Sequence, residues 1–244
     1  MTFSISPIGF VKTPFQEKFG VPRQSGMIPE ARGILKLNPD PDFKDALRFL
    51  ETFSHVWLIF QFHEHANEPW RKLTTTPRVG APERVGVFAS RSPHRPNGLG
   101  MSAVKLDSID FNAKNGIEIH LSGLDLLDGT PVFDLKPYVP FVDSIPDATG
   151  GFTLPEIPKY AVEFSGVALE TISKTNIFGE KINLKMLITQ MLEFDPRPTP
   201  QKKSFPITDP KNDQMKFAFR IGEIDVHWQI QNGKIWVNAV MTQS

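Results

Sequence analysis

The densest polar cluster in this 244-residue chain is Arg91-Ser92-Pro93-His94-Arg95-Pro96-Asn97-Gly98-Leu99-Gly100. Arg91 and Arg95 offer forked donors that match a carboxylate or a phosphate. Asn97 both donates and accepts. The prolines and glycines between them set the loop's shape. The segment reads as a binding loop, and a rigid surface loop with solvated arginines is the plain alternative.

A second cluster is Leu124-Asp125-Leu126-Leu127-Asp128-Gly129-Thr130-Pro131, in which Asp128-Gly129 is a turn dipeptide. Asp134, Lys136 and Tyr138 follow at a spacing that suits residues leaving a strand end toward a cleft. An acid there could be a general base or an ion-paired surface group. His63-Glu64-His65 invites a metal reading, because on a strand both imidazoles would share a face. Two ligands are too few for zinc and the chain has no cysteine, so no metal is expected. The rival reading, a metal-dependent hydrolase, would use His55, His63 and His65. Pro22-Arg23-Gln24-Ser25-Gly26 could bind the polar edge of a ligand or simply connect. Asp195-Pro196-Arg197-Pro198 reads as a proline stop after a helix, which leaves Arg197 unexplained. No Gly-x-Gly-x-x-Gly follows a strand, and there is no Walker motif and no Gly-x-Ser-x-Gly elbow. A Rossmann cofactor site and serine hydrolysis are therefore unsupported.

Lys plus Arg number 27 and Asp plus Glu number 27, so a wholly basic nucleic-acid binder is excluded while a local basic face is not. The absence of cysteine excludes disulfides, thiolate metal sites and cysteine nucleophiles. Met1 to Ile5 lacks the basic and apolar regions of a secretory signal, and no apolar run is long enough to span a membrane. A soluble cytoplasmic protein is the expectation. Proline is over-used, at 22 residues, which predicts many structured loops.

These loops need a scaffold. Ile5 to Phe10, Gly33 to Leu37, His55 to His63, Val85 to Ala89, Met101 to Ile109 and Ile117 to Leu121 read as strands. Thr13 to Arg32 is a long irregular stretch, disordered or functional. The spacing of Phe43, Ala46, Leu47 and Leu50 predicts a helix from Asp42 to Leu50. Without βαβ alternation, an antiparallel β-barrel is predicted for residues 1–143. A linker rich in proline and glycine follows at 144–158. Residues 159–244 read as a small α+β domain. It would hold a strand and turn over Ala161 to Leu169 and a helix from Ile182 to Phe194. Strands follow at Lys216 to Ile221, Asp225 to Gln231 and Lys234 to Met241. The fold class is mainly β with some α.

Taken together, the loops resemble the TsaA-like family. The matching pieces are Ile8-Gly9, Pro22-Arg23-Gln24, Arg91 to Asn97 with Gly100-Met101-Ser102, Leu124 to Pro131, and Asp134-Leu135-Lys136-Pro137-Tyr138. Asp195 to Pro198 and the strand Asp225 to Trp228 resemble the C-terminal domain of the longer bacterial members. The resemblance implies an S-adenosylmethionine-dependent enzyme built on a β-barrel. Its methyl group would go to N6 of threonylcarbamoyladenosine at adenosine 37, in the anticodon loop of tRNA. It also implies a homodimer with the cofactor near the subunit interface. Carried over by position, Pro22, Arg23, Gln24, His63, Glu64, Arg91, Met101, Leu127, Asp128, Gly129 and Thr130 would surround the cofactor. Asp128, Asp134 and Tyr138, in that order, are candidates for a general base. Arg95, Asn97, Lys136 and Arg197 are candidates for tRNA phosphates or the threonyl carboxylate. Gly98-Leu99, Glu64 and Pro200 depart from Pro-Ile, Gln and Tyr, common among relatives. A cofactor-binding regulatory module without transferase activity, or transfer to another nucleoside, are the alternatives.

Overall fold

The computed structural model describes residues 4–75, 82–153, 157–178 and 182–242. Positions 154–156 of the expected linker lie outside the described residues. The described chain forms two compact units. One comprises 4–13, 22–75 and 84–149; the other comprises 14–21 and most of the chain from 150 onward.

The first unit contains β1 (Gly9–Lys12), β2 (Gly33–Leu37), β3 (His55–Gln61), β4 (Leu73–Thr75), β5 (Arg84–Gly86), β6 (Leu99–Asp110), β7 (Glu118–Ser122) and β8 (Pro131–Pro137). Six of these close into an antiparallel barrel in the order β1-β2-β7-β6-β3-β8, and β4 and β5 form a separate hairpin. Closure follows from the residue pattern. On β3, Val56, Leu58 and Phe60 point inward and are buried, alternating with Trp57 and Ile59. Leu35, Ile119, Leu121 and Val132 meet them in the core. Closing the sheet leaves the barrel without an exposed strand edge.

Several local expectations are corrected. β3 stops at Gln61, and His63–His65 forms a turn of 3-10 helix, so these histidines do not share a strand face. The helix expected from Asp42 to Leu50 is reduced to α1 (Phe43–Ala46). Phe49 takes the left-handed region (φ 68°), which diverts the chain into a 3-10 turn over Leu50–Thr52. Val85 to Ala89 is strand only to Gly86, then a 3-10 turn. A short α2 (Pro140–Asp143) follows the barrel.

The second unit holds β9 (Val162–Phe164), α3 (Gly166–Lys174), α4 (Leu184–Leu192), α5 (Thr199–Ser204), β10 (Lys216–Ile221), β11 (Ile224–Gln231) and β12 (Lys234–Thr242). Its sheet runs β10-β11-β12-β9, with β9 parallel to β12. The strand and turn expected over Ala161 to Leu169 become a strand ending at Phe164 and the start of a helix, because Ser165 caps α3, accepting from the Ala168 amide at 3.0 Å. Residues 14–21 of the long early stretch belong here: the Gly222 amide donates to the Pro14 carbonyl at 2.6 Å, and Glu17 pairs with Arg220 at 3.2 Å.

Candidate active site at one end of the barrel

Antiparallel pairing sorts the loops by end. Lys12 pairs with Ile34, Gly33 with Leu121, and Gln61 with Leu99. The loops after β1, β3 and β7 and those before β2, β6 and β8 therefore open at one end. Segments distant in sequence are joined there. Arg91 Nη1 donates to Gln24 Oε1 at 2.7 Å. The Gly26 amide donates to the Gly123 carbonyl at 2.9 Å, and the Phe62 amide to the Gly98 carbonyl at 2.8 Å. Gly26 and Gly123 both take positive φ (75° and 73°), and a Cβ on Gly123 would come within 3.3 Å of the Gly26 backbone. Gly100 lies against the buried ring of Phe60, which fills the space a side chain would need.

Asp125, absent from the sequence-derived site, stands at this end. Ser102 donates its hydroxyl to Asp125 Oδ1 at 2.7 Å. Burial pushes the Asp125 carboxyl above the usual value of 3.8, outweighing Ser102, the main-chain amides of Asp125 and Ser25, and the nearby Arg91 charge, all of which favour the anion. The signal in the sequence was an acid inside an apolar run, Leu124-Asp125-Leu126.

Asp128 is placed differently. Its Oδ1 accepts from the Thr13 amide at 2.9 Å and its Oδ2 from Lys12 Nζ at 2.7 Å. The turn that carries it is fixed by the Thr130 hydroxyl on the Leu127 carbonyl (2.8 Å) and by the Gly129 amide on the Val11 carbonyl (2.8 Å). Both carboxylate oxygens thus hold the end of β1. Pro22 is buried and Arg23 exposed. His63 and Glu64 sit 3.7 Å apart, the glutamate half exposed. Met101 (59% exposed) and Leu99 (40%) offer apolar surface. Arg95 donates to the carbonyls of Val87 (3.1 Å) and Ser90 (2.7 Å), so part of its donor capacity shapes its own loop. Asn97 is exposed.

Other candidates are not brought here. Tyr138 follows Pro137, which pairs with Val56 near the start of β3, and its amide donates to the His55 carbonyl at 2.9 Å. That is the opposite end of β3, about 20 Å away at ~3.3 Å per residue. Lys136, paired in register with Trp57, lies near that end, whereas Asp134, opposite Ile59 as Met101 is, stands nearer the assembled end and pairs with Lys136 at 3.0 Å. His55 shares the far end, so His55, His63 and His65 form no common site. Arg197 is corrected most sharply. It lies in the second unit with a side chain 1% exposed. It makes a bidentate pair with Asp195, at 2.8 Å on each side, and also donates to the Phe205 carbonyl (3.1 Å) and Asn212 Oδ1 (2.9 Å). This buried guanidinium is a structural tie rather than a phosphate ligand.

Among the described residues, His65, Glu68 and His94 bring potential metal-ligand atoms within 4.8 Å of one another. Glu68 lies 3.0 Å from His65 Nδ1 and 3.2 Å from His94 Nδ1, so its carboxylate bridges the two rings. A metal would have to replace both contacts. Without one, the bridge ties the turn after β3 to the Arg91 loop. For an organic ligand the end as a whole is better furnished. Arg23 and Arg91 suit a carboxylate, Asp125 and Glu64 suit a positive centre, and Leu99 and Met101 suit an apolar ring.

Two family models match the chain in sequence order. Residues 10–144 match the family model of the tRNA-methyltransferase O N-terminal domain, and residues 157–243 that of the TrmO C-terminal domain. An Escherichia coli protein named tRNA (adenine(37)-N6)-methyltransferase is 36% identical, with 98% of each chain covered. A Pseudomonas aeruginosa protein, assigned provisionally by its name to the S-adenosylmethionine-dependent methyltransferases, is 42% identical over 93% of each chain. A crystal structure of TrmO from Pseudomonas aeruginosa superimposes with a TM-score of 0.77 at 38% identity, covering 99% of this chain and all of that one. With both family domains matched in order and relatives similar from end to end, the chain belongs to the tRNA-methyltransferase O family.

Proposed function

We propose that this chain is an S-adenosylmethionine-dependent tRNA methyltransferase. It would methylate N6 of adenosine 37, with threonylcarbamoyladenosine as the acceptor. The observation that carries this reading is the barrel end at which Gln24 and Arg91 join across 2.7 Å beside the half-buried Asp125. When bound, S-adenosylmethionine supplies an electrophilic methyl group on a sulfonium. Arg23 and Arg91 hold its carboxylate, and Gln24 positions its polar edge. Glu64 and His63 face the positive centre. Leu99 and Met101 cover apolar surface, and Pro22 with Leu127, Asp128, Gly129 and Thr130 completes the wall. Positioning supplies much of the rate in such an in-line transfer.

The acceptor nitrogen is conjugated to a carbamoyl group, so removing its proton helps. Asp125 takes that proton in this scheme, because burial has already made its carboxylate more basic. Asp128 organises the turn, and Tyr138 lies at the far end of β3. Arg95 and Asn97, at the exposed rim, face the tRNA. A homodimer belongs to the same proposal, and sedimentation of the purified chain tests it. No helix among the described residues is long and apolar enough to cross a membrane.

The reaction is tested with labelled S-adenosylmethionine and two tRNA preparations, one carrying threonylcarbamoyladenosine and one lacking it. Labelled N6-methyl product from the modified tRNA alone is expected. Label in neither, with the cofactor bound, would favour a regulatory module; label in both would move the acceptor to another nucleoside.

A further inference from the structure

Beside the Arg91 loop lies a feature that the cofactor site does not use. Trp70, Arg71, Lys72, Leu73 and Arg84 line an open cleft of about 410 Å³. Trp70 is 52% exposed and Leu73 39%. A half-exposed indole flanked by cations presents an aromatic face on which a flat ligand group can stack. The cleft is fixed by main-chain bonds. The Arg71 amide donates to the His94 carbonyl at 3.1 Å, and the Val87 amide to the Lys72 carbonyl at 3.1 Å. Below it, β4 pairs with β5, Leu73 opposite Gly86 and Thr75 opposite Arg84. The Arg71 contact with Glu68 is long, 3.6 Å, and exposed. In a chain with no net charge, three exposed cations around one indole are a local concentration.

We propose that this cleft is a shelf for single-stranded RNA. An unpaired base stacks on Trp70, and the phosphates on either side lie against Lys72, Arg84 and Arg71. The proposal rests on the tRNA reading above and extends it: the stacked base belongs to the same loop as the acceptor adenosine and is held close to the His94 segment of the Arg91 loop. Stacking on an aromatic face tolerates any base, so the shelf adds affinity and register, not sequence choice.

The test uses the full-length protein and a labelled RNA hairpin with a seven-base anticodon loop, alongside a blunt RNA duplex of equal charge. Trp70→Ala should weaken hairpin binding about 5- to 150-fold. It should leave duplex binding, S-adenosylmethionine affinity and melting temperature unchanged. Trp70→Phe should restore most of the hairpin affinity. Lys72→Glu combined with Arg84→Glu should flatten the dependence of log affinity on log salt by about 1.4, at ~0.7 per single-strand phosphate. Unchanged hairpin affinity in Trp70→Ala and in the double variant, with wild-type methylation intact, overturns the shelf and leaves the proposed function standing. Equal losses on hairpin and duplex also overturn it, because a stacking shelf requires an unpaired base. A Trp70-dependent hairpin complex from a protein that methylates no tRNA upholds the shelf and removes the transferase reading. A wild-type protein that binds neither RNA overturns both.

Discussion

Two proline-rich loops carry arginines that the sequence presents in the same way, and the structure uses them oppositely. Arg91 is exposed and reaches across the barrel end to Gln24. Arg197 is sealed in the second unit, with Asp195, Asn212 and the Phe205 carbonyl as its partners. The difference is made by the neighbours. Asp195, two residues before Arg197, takes a positive φ of 50° and turns its carboxylate onto the guanidinium. Arg91 has no acid so near in sequence and finds a neutral amide instead, which leaves its charge available to a ligand. A buried arginine stabilises; an arginine bonded to a neutral partner can bind.

Removing Arg197 should have the largest effect. Arg197→Ala strands the buried Asp195 charge and should cost about 3–5 kcal/mol. Urea unfolding followed by tryptophan fluorescence would read it, since Trp228 stacks on Phe217 (4.5 Å) and Arg197 lies over the same ring (5.7 Å). A loss below 1 kcal/mol would break the contrast. Asp125→Asn should lower kcat by about 10²–10⁴-fold, the usual range for a lost general base. It should also raise stability at neutral pH. The folded-state pKa of Asp125 lies above 3.8, so the folded protein holds this proton more tightly than the unfolded chain does. Wild type therefore loses stability as pH rises from 3.8 through the raised value, and the variant does not. Unfolding across that interval should show the variant's advantage growing, then levelling off. Arg91→Ala should weaken S-adenosylmethionine binding about 10- to 150-fold, the worth of a hydrogen bond to a charged group, as titration calorimetry would show. Its stability should shift by no more than ~0.5 kcal/mol. The smallest effect belongs to Asp128→Asn. It removes one half-exposed ion pair with Lys12, worth about 0.2–1 kcal/mol in thermal unfolding, and should slow turnover far less than Asp125→Asn.

The barrel was legible in the chain because the apolar runs over His55 to His63 and Ile117 to Leu121 are local properties of the sequence. The assembled end was legible only in part. Pro22 to Gln24, His63 and Arg91 to Met101 were picked out by residue type and by resemblance. The separation of Asp125 from Asp128 was not, because Ser102 and Ser25, which receive Asp125, are distant in sequence. Tyr138 was misplaced for a related reason: strand spacing shows that a residue leaves a strand, but only the register with Val56 shows at which end. Arg197 needed Asn212, which closes around it from 15 residues away.

The bond from the Gly26 amide to the Gly123 carbonyl has a consequence for time as well as for shape. The early loop and the turn after β7 cannot part without breaking it. The exchange of that one amide proton with deuterated water therefore clocks how often the barrel end comes open. Slower exchange on adding ligand would mark occupancy without any labelled substrate. Comparison with amides deep in β3 would separate the breathing of this end from unfolding of the whole barrel.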